Sequence, residues 1–371
     1  MKNNWWEIES RIAVDTPFLA IYKSRVWDNI ATLLLAVAHD ADKLRPHVKT
    51  HKMGEVLNLF KNVGIKKVKC ATIAEAELSA IHNMDDILLA YQLTGEKQNR
   101  WIQLIQNYPK NVFSTVVDSS DITEQLSNLA VKNNLILNLY LDLNTGMDRT
   151  GFDYKEDWET LVLKIAAFPN IRFFGVHIYD GHIKGTVEER AEKAAEIFHP
   201  INEKVKNLEK KIARKLKIVA GGSNTFPFYS QIDNVECSPG TFVFWDTNYQ
   251  LQLPEQQFVP AAVVVATVIS KPTAKTICID LGYKAVASEN ALEKRILILN
   301  DKSLIPISHS EEHLVLENTG QNRYSIGDIV YALPYHICPT CNLYDTAQIV
   351  NEERNISEQW SIEARKRKIN F

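Results

Sequence analysis

A lysine stands at the end of a short apolar segment early in the chain, within Arg45-Pro-His-Val-Lys-Thr-His-Lys52. If this segment is a strand of a parallel barrel, Lys49 faces the open carboxyl end, where such barrels hold their active sites. Partial burial and neighbouring cations lower the pKa of an amine and make it a better nucleophile. Taken alone, however, an ordinary lysine at the rim is the simpler interpretation of Lys49.

Two turns of small residues, Ala220-Gly-Gly-Ser-Asn-Thr225 and Ser238-Pro-Gly-Thr-Phe242, follow later apolar segments. Adjacent glycines let a backbone approach a ligand closely, and free N–H groups beside hydroxyl side chains favour an anion. Phosphate sites in barrels are often built from the loops after strands seven and eight. One such turn is weak support, but two in succession predict a phosphate site. Its predicted members are Gly221, Gly222, Ser223, Thr225, Gly240 and Thr241.

Polar residues also follow two apolar segments in the middle of the chain. The first leads into Leu141-Asp-Leu-Asn-Thr-Gly-Met-Asp-Arg-Thr-Gly151 and the second into His177-Ile-Tyr-Asp-Gly-His182. Arg149 has the charge and the geometry to hold a carboxylate or a phenolate oxygen. An unperturbed imidazole titrates near neutral pH, so His177 and His182 could transfer protons, although a structural role is more common for a single histidine.

His336 and Cys338, in Tyr335-His-Ile-Cys-Pro-Thr-Cys341, have the spacing of a metal-binding pair. On an extended chain, side chains two residues apart point to one face. Imidazole and thiolate together suit zinc, and two protein ligands leave positions open for water or substrate. Cys341 completes a Cys-x-x-Cys, which would suit a redox site or a structural zinc site. We favour Cys341 as a bystander because the sequence has no second cysteine pair of this kind.

Apolar segments alternate with segments of helical periodicity over the first two thirds of the chain, which predicts βαβ units and a parallel sheet. Eight predicted strands indicate a (β/α)8 barrel over residues 15–250. The strands are Leu44–Lys49, Lys67–Thr72, Asp86–Gln92, Phe113–Asp118, Leu135–Leu143, Ile171–Asp180, Leu216–Gly222 and Val235–Val243. The clearest helices are Thr72–His82, Glu96–Tyr108, Asp121–Lys132, Asp157–Phe168 and Thr186–Leu216.

The pattern changes near residue 250, where a segment rich in Gln and Pro predicts a linker. After it, short strand-like segments separated by turn signals predict a small all-β domain over residues 251–371. Residues 1–14 could join this domain. The predicted strands are Ala261–Ser270, Lys275–Ile279, Ile296–Leu299, Glu312–Val315 and Ile329–Ala332. The predicted fold class is therefore α/β, a barrel followed by a β domain.

Composition and charge argue against several classes of function. The 371 residues carry a formal net charge of -3 and no long basic run, so nucleic acid and anionic membranes are not expected partners. No apolar run is long enough to span a membrane. The first ten residues contain no apolar signal core, and the five cysteines are an odd number. These features predict a cytoplasmic protein without a disulfide framework.

Together, these segments resemble the family of D-threonine aldolases and D-serine dehydratases, which are built like alanine racemase. The resemblance runs in order over nearly the whole chain. The sequence departs from the family pattern at Gln92, where proline is expected, and at Phe242, where tyrosine is common. Neither change removes a catalytic group. The matching segments are Arg45–Lys52, Cys70–Glu77, Ile87–Tyr91, Thr145–Gly151, Gly221–Thr225, Pro239–Phe242, Asp280–Ala285, Ser310–His313 and His336–Cys338.

The resemblance implies that pyridoxal 5'-phosphate is the cofactor, bound as a Schiff base to Lys49 and held through its phosphate by the two glycine-rich turns. It also implies that Tyr179 lies near the pyridine nitrogen and that His336 and Cys338 hold a divalent metal beside the cofactor. The thiolate favours zinc, with manganese or magnesium as alternatives. A homodimer and a small D-amino acid substrate are further implications.

The implied activity is that of a lyase on D-β-hydroxy amino acids, in which Lys49 removes the α proton and the metal binds the β-hydroxyl. Loss of that hydroxyl is dehydration, whereas loss of its proton leads to cleavage of the Cα–Cβ bond. The sequence does not decide between dehydratase and aldolase. An amino-acid racemase and a non-catalytic pyridoxal phosphate-binding protein are the alternatives. The predicted metal-binding pair His336 and Cys338 argues against a racemase. The same pair, together with the second domain, argues against a non-catalytic pyridoxal phosphate-binding protein.

Overall fold

The computed structural model describes residues 4–9, 13–320 and 323–371. The strands, in chain order, are β1 Phe18–Tyr22, β2 Lys67–Cys70, β3 Asp86–Leu89, β4 Val112–Val117, β5 Leu137–Asn144, β6 Phe152–Asp153, β7 Ile171–Ile178, β8 Lys217–Ala220, β9 Val235–Cys237, β10 Ala262–Thr273, β11 Thr276–Ile279, β12 Ile296–Ile298, β13 Leu304–His309, β14 Leu314–Asn318, β15 Ile329–Pro334, β16 Thr346–Val350 and β17 Ile356–Ser361. The helices are α1 Lys23–Ala36, α2 Gly54–Asn62, α3 Ile73–Ile81, α4 Glu96–Asn107, α5 Ser120–Lys132, α6 Trp158–Ala166, α7 Val187–Ile212, α8 Phe226–Tyr229, α9 Thr247–Gln252 and α10 Ile337–Cys341.

The chain divides into two compact units. The barrel unit consists of Leu34–Lys49, Gly54–Gly240 and Lys366–Phe371. The β unit consists of Thr50–Met53, Thr241–Arg365 and the described residues of Met1–Leu33. Among the helices in the described ranges, none has both the length and the apolar character needed to cross a membrane.

The barrel unit contains the predicted parallel sheet, in the order β2-β3-β4-β5-β7-β8-β9, with β6 beside β5. The segment predicted as its first strand, Leu44–Lys49, forms no continuous ladder. Instead, Leu44 bridges Cys237 on β9, and His47 bridges Lys69 on β2. Pro46 accounts for the difference because it has no N–H to donate. The two bridges nevertheless join the last strand to the first.

The remaining barrel elements follow the predicted alternation, with one other difference. The eighth predicted strand, Val235–Val243, is a strand only over Val235–Cys237. Pro239 and Gly240 then turn the chain into a short 3-10 helix at Thr241–Val243. The helices between the strands begin and end within about four residues of the predicted bounds. The predicted class, a (β/α)8 barrel with a separate β domain, is confirmed.

A buried ionic network lies inside the barrel at the end where the strands begin. The Arg45 side chain is completely buried, with Nε 2.6 Å from Glu236 Oε2 and Nη2 2.9 Å from Asp86 Oδ2. Lys67 approaches Glu236 to 2.9 Å, and Lys217 approaches Asp86 to 3.0 Å. Buried charges lose several kcal/mol of hydration each, so the network is stable only while every charge keeps its partners.

The β unit is built on a sheet in the order β13-β14-β11-β10-β1-β16-β17, in which β15 also pairs with β10 and β12. Strand β1 lies in its centre, antiparallel to β10 and parallel to β16. Trp6 and Phe18 pack in the core of this sheet against Val263 and Tyr331. The described part of the N-terminal segment therefore belongs with the C-terminal strands, and residues 1–3 and 10–12 of the predicted segment lie outside the described residues.

We predict that Asp86→Asn lowers the free energy of unfolding at pH 7 by about 3 kcal/mol, because it leaves Arg45 short of one carboxylate. Burial opposes ionisation of Asp86, but Arg45 lowers its pKa to about 2. The stabilisation is therefore present above about pH 4 and is lost as the pH falls through about 2. Urea titrations at several pH values measure this.

The matched control is Asp85→Asn, whose side chain is two-thirds exposed and lies 4.0 Å from Lys66. It should change stability by less than about 0.5 kcal/mol. Equal effects of the two substitutions would contradict the structural role of the Arg45 network.

Candidate active site

Lys49 stands in a tight turn directly after the segment that closes the barrel. Its backbone N–H donates to His47 Nδ1 over 3.3 Å, and His47 itself bridges β2. The Lys49 side chain is partly buried, and its Nζ lies 5.7 Å from the centre of the Tyr179 ring. Tyr179 directly follows β7. The lysine amine and this ring therefore meet at the carboxyl ends of the strands.

Arg149 reaches the same ring from the loop between β5 and β6. Its guanidinium carbon lies 5.0 Å from the ring centre. Asn144 Oδ1 accepts the N–H groups of Gly146 and Asp148, each over 3.1 Å, and this folds the loop back on its strand. Gly151 has a φ of +99°, and a Cβ there would lie 2.6 Å from the Asn144 nitrogen. The loop that positions the arginine thus requires glycine at its end.

The turn Gly221-Gly-Ser-Asn-Thr225 packs against Tyr179. A Cβ on Gly222 would lie 3.2 Å from ring atom Cε2, so the backbone passes directly beside the ring. Gly221 has a φ of +75°, and its N–H donates to Ile178 O over 2.9 Å. The predicted phosphate turn is therefore next to the ring that Lys49 and Arg149 share.

Two details change the way in which this turn could bind an anion. Thr225 Oγ1 donates to Asp180 Oδ1 over 2.7 Å, so its hydroxyl proton is already committed. The following helix, α8, has only four residues and includes Pro227, so it offers little dipole and one N–H fewer. Any phosphate contact of this turn would therefore have to come mainly from its backbone N–H groups after Gly221, since the Gly221 N–H is bonded to Ile178 O.

Gly240 lies in the second predicted turn, which is tied to the segment that carries Lys49. Pro239 O accepts the N–H of His47 over 2.9 Å. Ser238 Oγ donates to the carbonyl oxygen of Arg45 over 2.8 Å. The turn and the lysine segment therefore hold each other in place.

Cys338 and His336 lie at the start of α10 in the β unit, and their side chains hydrogen-bond to each other. Two threonine hydroxyls approach the Cys338 Sγ, Thr50 at 3.1 Å and Thr241 at 3.6 Å. Thr241, predicted in the phosphate site, is thus placed beside a predicted metal ligand. Thr50 directly follows Lys49 in the chain.

Acidic groups surround the imidazole of His336. Its Nδ1 bonds Glu289, and Asp246 Oδ2 accepts the Ile337 N–H over 3.1 Å. Burial alone would lower the pKa of His336, but Cys338 and Glu289 raise it to about 9. Cys341 is fully buried, and burial raises the pKa of its thiol. Within the described ranges, no three His, Cys, Asp or Glu side chains form a group suited to a metal ion.

His182 lines a cleft of about 540 Å³ in the barrel unit, between the loops that follow β5 and β7. Its ring packs against Gly146, where a Cβ would lie 3.1 Å from Nε2. Asp148, Lys184 and Glu196 also line the cleft. The structure therefore places His182 on the wall of a polar cleft.

The site predicted from sequence does not include Lys69 or Asp142. For His177 it offered proton transfer, with a structural role as the more common interpretation. Lys69 Nζ lies 3.4 Å from His177 Nε2, and His177 Nδ1 lies 2.7 Å from Asp142 Oδ1. The Lys69 amine is 5.7 Å from the centre of the Tyr179 ring. The sequence feature that could have indicated Lys69 is the strand Lys67-Val-Lys-Cys70. Because side chains alternate along a strand, both lysines lie on one face of it.

Two family models match the chain. "Alanine racemase, N-terminal domain" matches residues 21–247, and "Putative serine dehydratase domain" matches residues 261–350. Relatives also match by sequence. A D-threonine aldolase of Arthrobacter sp is 25% identical over 363 residues, which cover 95% of this chain and 93% of the relative. A 3-hydroxy-D-aspartate aldolase of Paracoccus denitrificans (strain Pd 1222) is 24% identical over 336 residues, 86% of this chain and 84% of the relative.

The fold matches that of solved structures. The D-threonine aldolase from Filomicrobium marinum superposes with a TM-score of 0.85 at 23% sequence identity, over 95% of this chain and 96% of the other. At this identity the likeness is one of fold. The alanine racemase model covers residues 21–247, which is more than half of the 371 residues. The chain therefore belongs to the family that this N-terminal domain of alanine racemase defines.

Proposed function

We propose that this protein is a pyridoxal 5'-phosphate-dependent lyase acting on small D-β-hydroxy amino acids. The observation that carries the proposal is that Lys49 and Arg149 share the Tyr179 ring, beside the glycine turn at Gly221. The relatives support it, because D-threonine and 3-hydroxy-D-aspartate are both D-amino acids with a β-hydroxyl group. The chain would work in the cytoplasm.

The residues around Tyr179 fit a flat, anionic cofactor. Lys49 and Arg149 bring two cations to one ring, and the turn beginning at Gly221 brings its backbone close to the same place. Lys49 would hold pyridoxal phosphate through Nζ, and the turn would take the phosphate. When bound, this cofactor supplies an electron sink for negative charge at the substrate Cα.

The residues of the chain would then share the work of proton transfer and orientation. In dehydration, Lys49, once released by the substrate amine, would be the base for the α proton, whereas cleavage of the Cα–Cβ bond leaves that hydrogen in place. Arg149 holds the phenolate oxygen or the substrate carboxylate through charge-assisted hydrogen bonds. Tyr179 would orient the cofactor by a hydrogen bond to its pyridine nitrogen. His182, on the wall of the polar cleft, is the candidate for a second proton transfer.

His336 and Cys338 fit a divalent metal. Their imidazole and thiol are already in contact, and imidazole with thiolate suits zinc more than a harder cation. Two protein ligands leave coordination positions for water and for a substrate oxygen. When bound, the metal supplies a Lewis acid for the β-hydroxyl. Manganese or magnesium would be the alternative ions.

The outcome of the reaction depends on the fate of the β-hydroxyl. If the hydroxyl leaves, the products are a keto acid and ammonia. If it loses its proton, the Cα–Cβ bond breaks, a proton is returned to Cα, and the products are glycine and an aldehyde. The named relatives are aldolases, whereas residues 261–350 match a serine dehydratase domain. We propose a lyase of one of these two types, working as a homodimer.

A product assay on D-serine, D-threonine and D-threo-3-hydroxyaspartate tests the function directly. A keto acid with ammonia identifies a dehydratase, and glycine with an aldehyde identifies an aldolase. The L-isomers serve as matched controls and should give neither product. Interconversion of D- and L-alanine without lyase products would replace the proposal by a racemase. Cofactor binding without turnover of any substrate would replace it by a carrier.

Lys49→Ala should abolish covalent binding of the cofactor, because the amine that forms the link is gone. Borohydride reduction of the loaded protein, followed by peptide mass spectrometry, should place the label on Lys49 in the wild type. Lys184→Ala removes an exposed lysine of the same unit and should retain full labelling. A label on a different lysine in the wild type would reject the assignment.

Cys338→Ala should lower the bound metal from about one ion per chain to near zero, because a single imidazole holds zinc weakly. Elemental analysis of the purified protein measures this loss. Cys341→Ala is the matched control in the same helix and should retain the metal. Lyase activity should also stop with a chelator and return with added zinc or manganese. Activity that resists chelation would remove the metal from the mechanism.

A further inference from the structure

A second amine lies buried beneath the candidate site and has no role in the function proposed above. Lys69 is on β2 and is only 2% exposed. Its Nζ lies 5.7 Å from the centre of the Tyr179 ring, the same distance as the Nζ of Lys49. Since both distances end on one point, the two amines are at most about 11 Å apart, twice 5.7 Å.

The hydrogen bonds of His177 show that Lys69 donates to its imidazole. His177 Nδ1 lies 2.7 Å from Asp142 Oδ1, and Asp142 Oδ2 accepts the Thr150 hydroxyl over 2.9 Å. A carboxylate only accepts hydrogen bonds, so His177 carries its proton on Nδ1. Its Nε2 is then an acceptor, and Lys69 Nζ donates to it over 3.4 Å. Asp142 thus orients the imidazole toward the lysine.

The charge of Lys69 is balanced between opposing groups. Burial, with smaller contributions from Lys49 and Arg45, lowers the pKa of Lys69 to about 7, although Asp142 and Asp180 act in the opposite direction. The amine therefore changes its charge close to neutral pH. The titratable and charged groups that face it from the surrounding elements are Arg45, His47, Lys49, Asp142, His177, Tyr179 and Asp180.

We propose that Lys69 is a positioning residue, fixed by its hydrogen bond to His177, whose positive charge opposes protonation of the Lys49 nitrogen. Lys69 would thereby set the pH range in which Lys49 is available as a base. The proposal rests on the proposed function, because it assigns Lys69 to the cofactor site on Lys49. The physical cause is repulsion between two like charges in a site of low dielectric constant. A neighbouring cation is a general means of activating a lysine.

Lys69→Met tests the proposal, because Met keeps an unbranched apolar chain and removes the amine. The measurement is the absorbance of the cofactor bound to Lys49, titrated from about pH 5 to about pH 10. Protonation of the Lys49 nitrogen shifts this absorbance and needs no turnover. The midpoint should rise in Lys69→Met by about one pH unit or more where Lys69 is charged, because unit charges about 11 Å apart at an effective dielectric constant near 20 give about one unit and the two amines are at most that far apart.

The pH dependence separates a charge effect from a packing effect. At about pH 6, where the wild-type Lys69 is protonated, Lys69→Met should contain more of the protonated Lys49 form than the wild type. At about pH 9, where Lys69 is neutral, the two spectra should coincide. Lys69→Arg carries a permanent charge and should lower the midpoint relative to Lys69→Met. If the arginine variant does not fold, the comparison of wild type and Lys69→Met still decides.

Lys67→Met is the matched control, on the same strand and two residues earlier. Lys67 pairs with Glu236 at the opposite end of the barrel, so its loss should leave the titration unchanged. If the wild type and Lys69→Met titrate identically, the inference is wrong and the proposed function stands. If the wild type takes up no cofactor on Lys49, the proposed function fails and the inference falls with it.

Discussion

The position of Lys49 depends on a charge buried four residues earlier. The segment that closes the barrel makes only two strand bridges, at Leu44 and His47, because Pro46 interrupts the ladder. Arg45 anchors the segment where strand hydrogen bonds are missing, because its fully buried guanidinium pairs with carboxylates on β3 and β9. A break in these pairs would leave an unpaired charge inside the barrel. A structural charge at one end of the barrel thus fixes the amine at the other end.

Much of the fold could be predicted because its signals are local. The alternation of apolar strands with periodic helices is readable within windows of ten to twenty residues, and glycine pairs such as Gly221–Gly222 mark turns by themselves. Long-range pairings leave no such signal. Strand β1 lies beside β16, more than three hundred residues later, and the short strands β13, β16 and β17 were missed. Their polar and apolar residues alternate too briefly to separate them from loops.

In the candidate site, too, residue types could be predicted from the sequence, whereas the contacts of those residues could not. The sequence identified Lys49 and Arg149 by type, and the structure brings both to one ring. It could not indicate that the Thr225 hydroxyl donates to Asp180, because the direction of a hydrogen bond depends on a residue from another strand. It also could not place Lys69 inside the barrel. A lysine in a strand is usually solvated, and only closure of the sheet decides which face becomes interior.

The two ends of the barrel interior differ in their charge balance. At the end where the strands begin, the cations Arg45 and Lys67 are neutralised by Asp86 and Glu236. At the open end, Lys49, Lys69 and Arg149 converge on one tyrosine ring. Asp142 and Asp180 offset part of this charge, but an anionic group that reaches the ring still meets three cations at once. Capture of an anionic ligand would therefore be fast in dilute buffer and would slow as salt screens these charges, whereas the buried pairs at the end where the strands begin are screened much less by the same salt.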